Sequence, residues 1–152
     1  IRAIGVSNFY PDRLVDLCSF VEVKPAINQV ETHIFQQQTA AHEYMEKYGV
    51  QHESWGPFAE GRKDFFTNPV LNGIGKKHDK SAEQVALRFL LQSDVVVIPK
   101  STHKERMEEN INVFDFALDA SDMNAIRALD EKESLFFSHY DPAIAEMMIK
   151  LH

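Results

Sequence analysis

Four short segments carry side chains suited to holding a polar ligand: Ser7-Asn8, Asn28-Gln29-Val30-Glu31, the run SWGPFAEG from Ser54 to Gly61, and Pro99-Lys100-Ser101-Thr102. Asn and Gln amides each offer a donor and an acceptor, so Ser7, Asn8 and Gln29 suit reading a carboxamide such as that of a nicotinamide. The same three residues also suit ordinary strand-end caps. Trp55 offers a flat ring on which a planar ligand can stack, and would serve equally as a core aromatic. Lys100, Ser101 and Thr102 stand where a helical pattern begins, so backbone N–H groups, the positive end of a helix dipole and an ammonium point at one place, which suits a phosphate. Arg106 lies one turn beyond, on the side of Thr102. The competing reading is a capped helix with solvated charges. Glu109 and Asn110, on the next turn, have the groups to bond an adenine amino group or to pass as surface residues. His33, His42, His52, His78, His103, His139 and His152 show no ligand spacing such as H-E-x-x-H, so no metal site is expected and packing or surface roles are.

These segments sit at the ends of four apolar runs, residues 3–7, 26–30, 50–55 and 95–99. The fourth, VVVIP, has the β-branched character of a parallel strand covered on both faces, and the third is much weaker. Residues 1–7 read as a buried strand from the first position. Between the runs, Leu14, Leu17, Cys18 and Val21 follow Pro11 at helical spacing. Ala41, Tyr44, Met45 and Tyr48 repeat the pattern before Gly49 stops it. A short helix is expected over 70–77. The clearest helix opens at Ser81, paired with Gln84 in a capping box, and buries Ala82, Val85, Ala86, Phe89 and Leu90. Thr102 and Glu105 have the same spacing and predict a helix to about residue 112; a last helix carries Met123, Ile126 and Leu129. Strands alternating with helices across short connections imply parallel strands with right-handed crossovers, an α/β class, with functional groups on the rim at the strands' carboxyl ends. An open four-stranded parallel sheet would expose two edges, so another half or a second copy is expected to cover them.

The composition agrees with a single globular domain: 152 residues, 44% hydrophobic and 26% charged. A net charge of −7 argues against a nucleic-acid backbone as partner. The lone cysteine, Cys18, cannot form an internal disulfide and is expected as buried packing. With no stretch apolar enough for a membrane span, a reducing cytosolic compartment is the expectation. The chain opens in a strand without an initiator Met, so it reads as starting in the middle of a protein.

Taken together, IGVSNF (from Ile4), NQVE (from Asn28), SWGPFAEG (from Ser54), VVVIPKST (from Val95), ERMEEN (from Glu105) and FDF (from Phe114) occur in an order and with gaps that resemble the aldo-keto reductase family. The bacterial branch with the 2,5-diketo-D-gluconate reductases is nearest in flavour, notably at SWGPFAEG and in SLFFSHYDP (from Ser134). The resemblance covers essentially the whole chain. It implies the C-terminal half of a (β/α)8 TIM barrel, strands five to eight with their helices, as one partial domain over 1–152 with a tail from about 134. It further implies NADPH, with Ser7, Asn8 and Gln29 on the carboxamide and Trp55 stacked on the nicotinamide. Gly56, Phe58 and Glu60 fall in the loop crossing the pyrophosphate. Lys100, Ser101, Thr102 and Arg106 match the grip on the 2'-phosphate, and Glu109 and Asn110 the adenine contacts.

The implied activity is reduction of small aldehydes or ketones. The family's catalytic tyrosine, aspartate, lysine and histidine belong to strands upstream of Ile1, and Tyr10, Tyr44, Tyr48 and Tyr140 do not match the tyrosine's motif. The isolated chain is therefore expected to be inactive, with the N-terminal half of the barrel or a second copy as partner. His33 is followed by Ile34 where the family usually has proline, which leaves that loop's path open. Two other readings stand beside this one: a non-catalytic half-barrel that pairs with itself as scaffold or dinucleotide-binding module, and an unrelated barrel that binds a phosphorylated sugar, which SWGPFAEG and ERMEEN disfavour.

Overall fold

The computed structural model describes residues 1–150; Leu151 and His152, the end of the expected tail, lie outside the described residues. Strands and helices alternate as β1 (Gly5–Ser7), α1 (Pro11–Phe20), β2 (Ile27–Glu31), α2 (Thr39–Tyr48) and β3 (Gln51–Trp55). Two 3-10 turns (Ala59–Gly61 and Phe65–Thr67) lead to α3 (Pro69–His78), α4 (Ala82–Gln92), β4 (Val96–Val97), α5 (Lys104–Ile111), α6 (Ala120–Arg127) and α7 (Pro142–Ile149). The sheet is parallel throughout in the order β1-β2-β3-β4, so all four carboxyl ends meet on one rim.

Local chemistry sets most boundaries. Pro11 opens α1, and Gly49 closes α2 in the left-handed region at φ 70°. Asn68 accepts from the N–H groups of Val70 and Leu71 at the start of α3. The Ser81–Gln84 capping box is closed in both directions, and Asp119–Asp122 makes a second one at α6.

Four expectations need correction. Residues 1–4 are exposed rather than a buried strand, with Ile4 at 50%, because β1 is an edge with no neighbour on its far side. The VVVIP run pairs only at Val96 and Val97; Val95 is buried, but Val96 and Ile98 are exposed for the same reason, so this strand is not covered on both faces. The weak third run forms a full five-residue inner strand, because His52 and Ser54 are satisfied by bonds to Thr32 and can be buried. Helix α5 does not open at Thr102: its cap is His103, no side chain caps it, and Ser101 Oγ accepts from His103 N at 3.1 Å instead. Thr102 therefore stands outside the helix and does not lie one helical turn from Arg106.

Two apolar cores back the sheet. Leu14, Cys18, Val30, Ala41, Met45 and Val50 join α1 and α2 to β2. A larger one gathers Phe35, Phe65, Leu71, Val85, Phe89 and Ile126, among others, around α3, α4 and α6. Cys18 is buried in the smaller core. Among the described residues no helix is long and apolar enough to cross a membrane.

Candidate functional site

Because Val30 faces α1 and α2, alternation along β2 turns Gln29 and Glu31 to the opposite face of the sheet. Register sets Ser7, Gln29 and Glu53 side by side on that face, with Glu31 beside Trp55 one step nearer the rim. Ser7 Oγ donates to the Gln29 carbonyl at 3.1 Å, and Gln29 Nε2 donates to Glu53 Oε1 at 2.6 Å. Asn8, just past β1, takes a left-handed conformation at φ 57° and accepts the indole N–H of Trp55 on Oδ1 at 2.8 Å. Asn28 is buried and clamps the same loop, its amide bonding both the N–H and the carbonyl of Phe9. Ser7, Asn8, Gln29 and Trp55 are thus held within one hydrogen-bonded set.

The chain's later segment covers this rim. Buried Glu31 accepts from His33 Nε2 at 3.0 Å, from Leu135 N at 2.9 Å and from the Ser134 hydroxyl. Burial pushes the Glu31 carboxyl up, but these bonds outweigh it and hold the pKa below the ordinary carboxylate value. Phe136 and Phe137 then pack on Trp55, with ring centroids at 5.1 and 6.4 Å. Arg62 lies over the Phe136 ring at 4.3 Å and donates to the Leu135 carbonyl. Between rim and tail lies an open cavity of about 790 Å³ whose walls include Asn8, Tyr10, Glu31, Trp55, Phe137 and His139.

Gly56 turns the chain after Trp55 at φ 65°. Phe58 packs against Phe65 in the larger core, with centroids 5.8 Å apart, so its ring is structural. Glu60 is exposed on a left-handed turn. The fourth strand end stands apart from the cavity. Lys100, Thr102, Arg106 and Glu109 are exposed, Ser101 and Asn110 partly so, and α5 buries no residue of its own. Helix α4 holds α5 in place: Gln84 Nε2 donates to the carbonyls of Glu109 at 3.2 Å and Asn112 at 2.9 Å. Since Ser54 pairs with Val97, Trp55 and Lys100 follow adjacent strands on the same rim.

Residue type and spacing give no sign of the latch at Glu31 or the brace at Glu53, and mark Gln84 only as a cap, because the partners lie 24 to 104 residues away. His33 and His52 are buried; His42 and His52 meet through their Nδ1 atoms at 3.0 Å, and Thr32 Oγ1 meets His52 Nε2 at 2.7 Å. Among the described residues no group of three or more His, Cys, Asp or Glu is placed to hold a metal ion.

In parallel α/β proteins ligands generally bind at the carboxyl edge of the sheet, and the polar residues of this chain gather there. Residues 1–131 match the aldo/keto reductase family, and the chain belongs to it. It is 45% identical over 133 residues to a glyoxal reductase of Bacillus subtilis, covering 88% of this chain and 48% of that one. An aldo-keto reductase, MGS-M4, from a deep-sea metagenome of the Medee basin superposes with a TM-score of 0.89 at 40% identity, covering 92% of this chain and 52% of the other. A mutant of Gox0644 in complex with NADPH superposes with a TM-score of 0.84 at 39% identity, covering 90% and 50%. The chain spans about half the length of the relatives it matches.

Proposed function

We propose that this chain supplies the cofactor-holding part of an NADPH-dependent aldo-keto reductase that reduces small aldehydes or ketones in a reducing cytosolic setting. Its four strands are read as strands five to eight of a (β/α)8 barrel. The observation that carries the reading is the 2.8 Å bond from Trp55 Nε1 to Asn8 Oδ1, which fixes a flat ring beside an amide on the rim where Ser7 and Gln29 also end. A glyoxal reductase and an NADPH-bound structure among the relatives support it.

The residues present fit such a cofactor, since among the described residues the amides of Asn8 and Gln29 each keep an uncommitted polar atom on the rim. Ser7, Asn8 and Gln29 would hold the carboxamide and Trp55 the ring. Gly56, the Phe58 backbone and Glu60 would follow the pyrophosphate. Lys100, Ser101, Thr102 and Arg106 would hold the 2'-phosphate, and Glu109 and Asn110 the adenine. When bound, NADPH supplies the hydride that reduces a carbonyl carbon. This chain's own residues orient and bind. Tyr10 and Tyr140 are committed to the tail, Tyr10 Oη accepting from His139 N and Tyr140 Oη donating to Asp12, each at 3.0 Å. The resemblance to the family, rather than these contacts, is what assigns the proton for the carbonyl oxygen to a group outside these 152 residues.

The test is titration of the chain with NADPH and NADH, followed by an assay of carbonyl-dependent loss of reduced-nicotinamide absorbance. Saturable NADPH binding without turnover is expected, and turnover by the chain alone would defeat the assignment of the acid. The second reading, a self-pairing half-barrel, is favoured by the exposed apolar residues on both edges of the sheet, Ile4 on one side and Val96 and Ile98 on the other. Light scattering separates the two, because a monomer at high concentration excludes self-pairing.

A further inference from the structure

We infer that Glu53 and the indole N–H of Trp55 are positioning groups that fix the donor and acceptor polarity of Gln29 and Asn8, so that the rim accepts a primary carboxamide and rejects its close analogues. The inference rests on the dinucleotide reading above and adds how the nicotinamide end is chosen.

Each bond already made determines what its residue has left to offer. A carboxylate only accepts, so the group that Gln29 presents to Glu53 at 2.6 Å must be its NH2, and Oε1 remains a free acceptor. An indole N–H only donates, so Asn8 must meet Trp55 with Oδ1 at 2.8 Å, and its NH2 remains a free donor. Ser7 has spent its single proton on the Gln29 carbonyl at 3.1 Å and keeps lone pairs. The rim therefore holds two acceptors, Ser7 Oγ and Gln29 Oε1, and one donor, Asn8 Nδ2. A primary carboxamide is the complement: two N–H donors and one carbonyl acceptor. A methyl ketone has no N–H for the two acceptors. A carboxylate would set its own lone pairs against them, leaving polar groups unpaired at a cost.

Glu53 need not touch the ligand, and the Trp55 N–H acts through Asn8 while the indole ring keeps its stacking place. Glu53 lies next to Gln29 in register, on the side away from Ser7, and acts through the amide. Without it the Gln29 amide can rotate, and half of its orientations offer NH2 where an acceptor is needed.

The experiment measures calorimetric dissociation constants for NADP+ and for its 3-acetylpyridine analogue, which differ only in the carboxamide. Wild type is expected to prefer NADP+. Glu53→Gln, which keeps the shape but lets both amides turn, should weaken NADP+ by about five- to tenfold, the value of one lost hydrogen bond, and leave the analogue within about twofold. Trp55→Phe, which keeps a ring and removes the N–H, should narrow the preference in the same way. A purely structural role would move both ligands together, and equal shifts, or none, in both variants overturn the inference. Failure of the wild-type chain to bind either ligand removes the dinucleotide reading itself and this inference with it.

Discussion

The carboxylate of Glu31, at the end of β2, holds the hydroxyl of Ser134, 103 residues further along the chain. With the Leu135 N–H on the same carboxylate, it fastens the segment that lays Phe136 and Phe137 against Trp55. Because the protein has one tryptophan, the fate of this latch can be read directly.

Glu31→Gln should release the tail. Gln keeps one acceptor but loses the charge that strengthens all three bonds, an effect of about 1.5–3 kcal/mol for hydrogen bonds to a charged group. The expected result is a red-shifted, more quenchable Trp55 emission and faster proteolysis between residues 134 and 140. Unchanged emission would mean that the aromatic contacts alone secure the segment.

Acid should loosen the same contact. With its folded pKa below the ordinary value of 4.5, Glu31 adds stability that is complete above 4.5 and disappears as pH falls through its lowered folded value. Emission recorded on descending pH should shift red below 4.5 in the wild type and show a smaller step in Glu31→Gln.

His52 acts with the opposite kind of group in the same direction of pH. Burial first, and the neighbouring His42 second, depress its pKa from 6.5 to about 3. Between those values the unfolded chain takes up a proton that the folded chain refuses. Stability should be level above pH 6.5 and fall by up to about 1.4 kcal/mol per pH unit below it. Urea unfolding at a series of pH values measures the slope, and replacing His52 by Gln should flatten it.

Two glycines in α3 should respond oppositely to the same substitution. A Cβ at Gly75 would lie 2.3 Å from the Lys80 carbonyl oxygen, which belongs to backbone, so Gly75→Ala should destabilise by about 1–3 kcal/mol. Gly73 is exposed with nothing within 4 Å of such a Cβ, so Gly73→Ala should stabilise by about 0.5–1 kcal/mol. Thermal unfolding of the two variants checks both signs.

If α5 holds the 2'-phosphate, Arg106→Ala should weaken NADPH by roughly tenfold, the effect of a lost charge-assisted hydrogen bond, and leave NADH nearly unchanged. Parallel titrations decide it, and equal losses for the two would remove Arg106 from that role.

Signals that act over a single turn are legible in the residues alone. The Ser81–Gln84 box, Pro11 and Gly49 each work within a turn of themselves, and each stands where its pattern places it. Whether a strand is inner or edge depends on neighbours elsewhere in the chain, so the apolar VVVIP reads as the best strand while QHESW forms the full inner one. Thr102 and Glu105 have the spacing of a cap, yet Ser101 turns back to His103 and displaces the start of α5. Helix α7 has the same kind of local start, with Asp141 capping Ala143 N and Pro142 in the first turn. Its nearly all-apolar run carries no polar face to mark a helical stripe, and it is met only in the fold. At the rim, Ser7, Asn8, Gln29 and Trp55 can be picked from residue type and strand position. The roles of Glu31 and Glu53 cannot, because their meaning comes from which side chain the register sets beside them.

The division of the apolar interior into two clusters has a thermodynamic consequence. The smaller one, built on Leu14, Val30 and Met45, supports the strand ends carrying Asn8 and Gln29; the larger supports the side carrying Lys100 and Arg106. If each opens with its own free energy, the unit with fewer buried groups opens more often. A ligand spanning from Asn8 to Arg106 would act as a splint across the seam, so amide protons of β1 and α1 should exchange more slowly once it is bound, far from most of the atoms it touches.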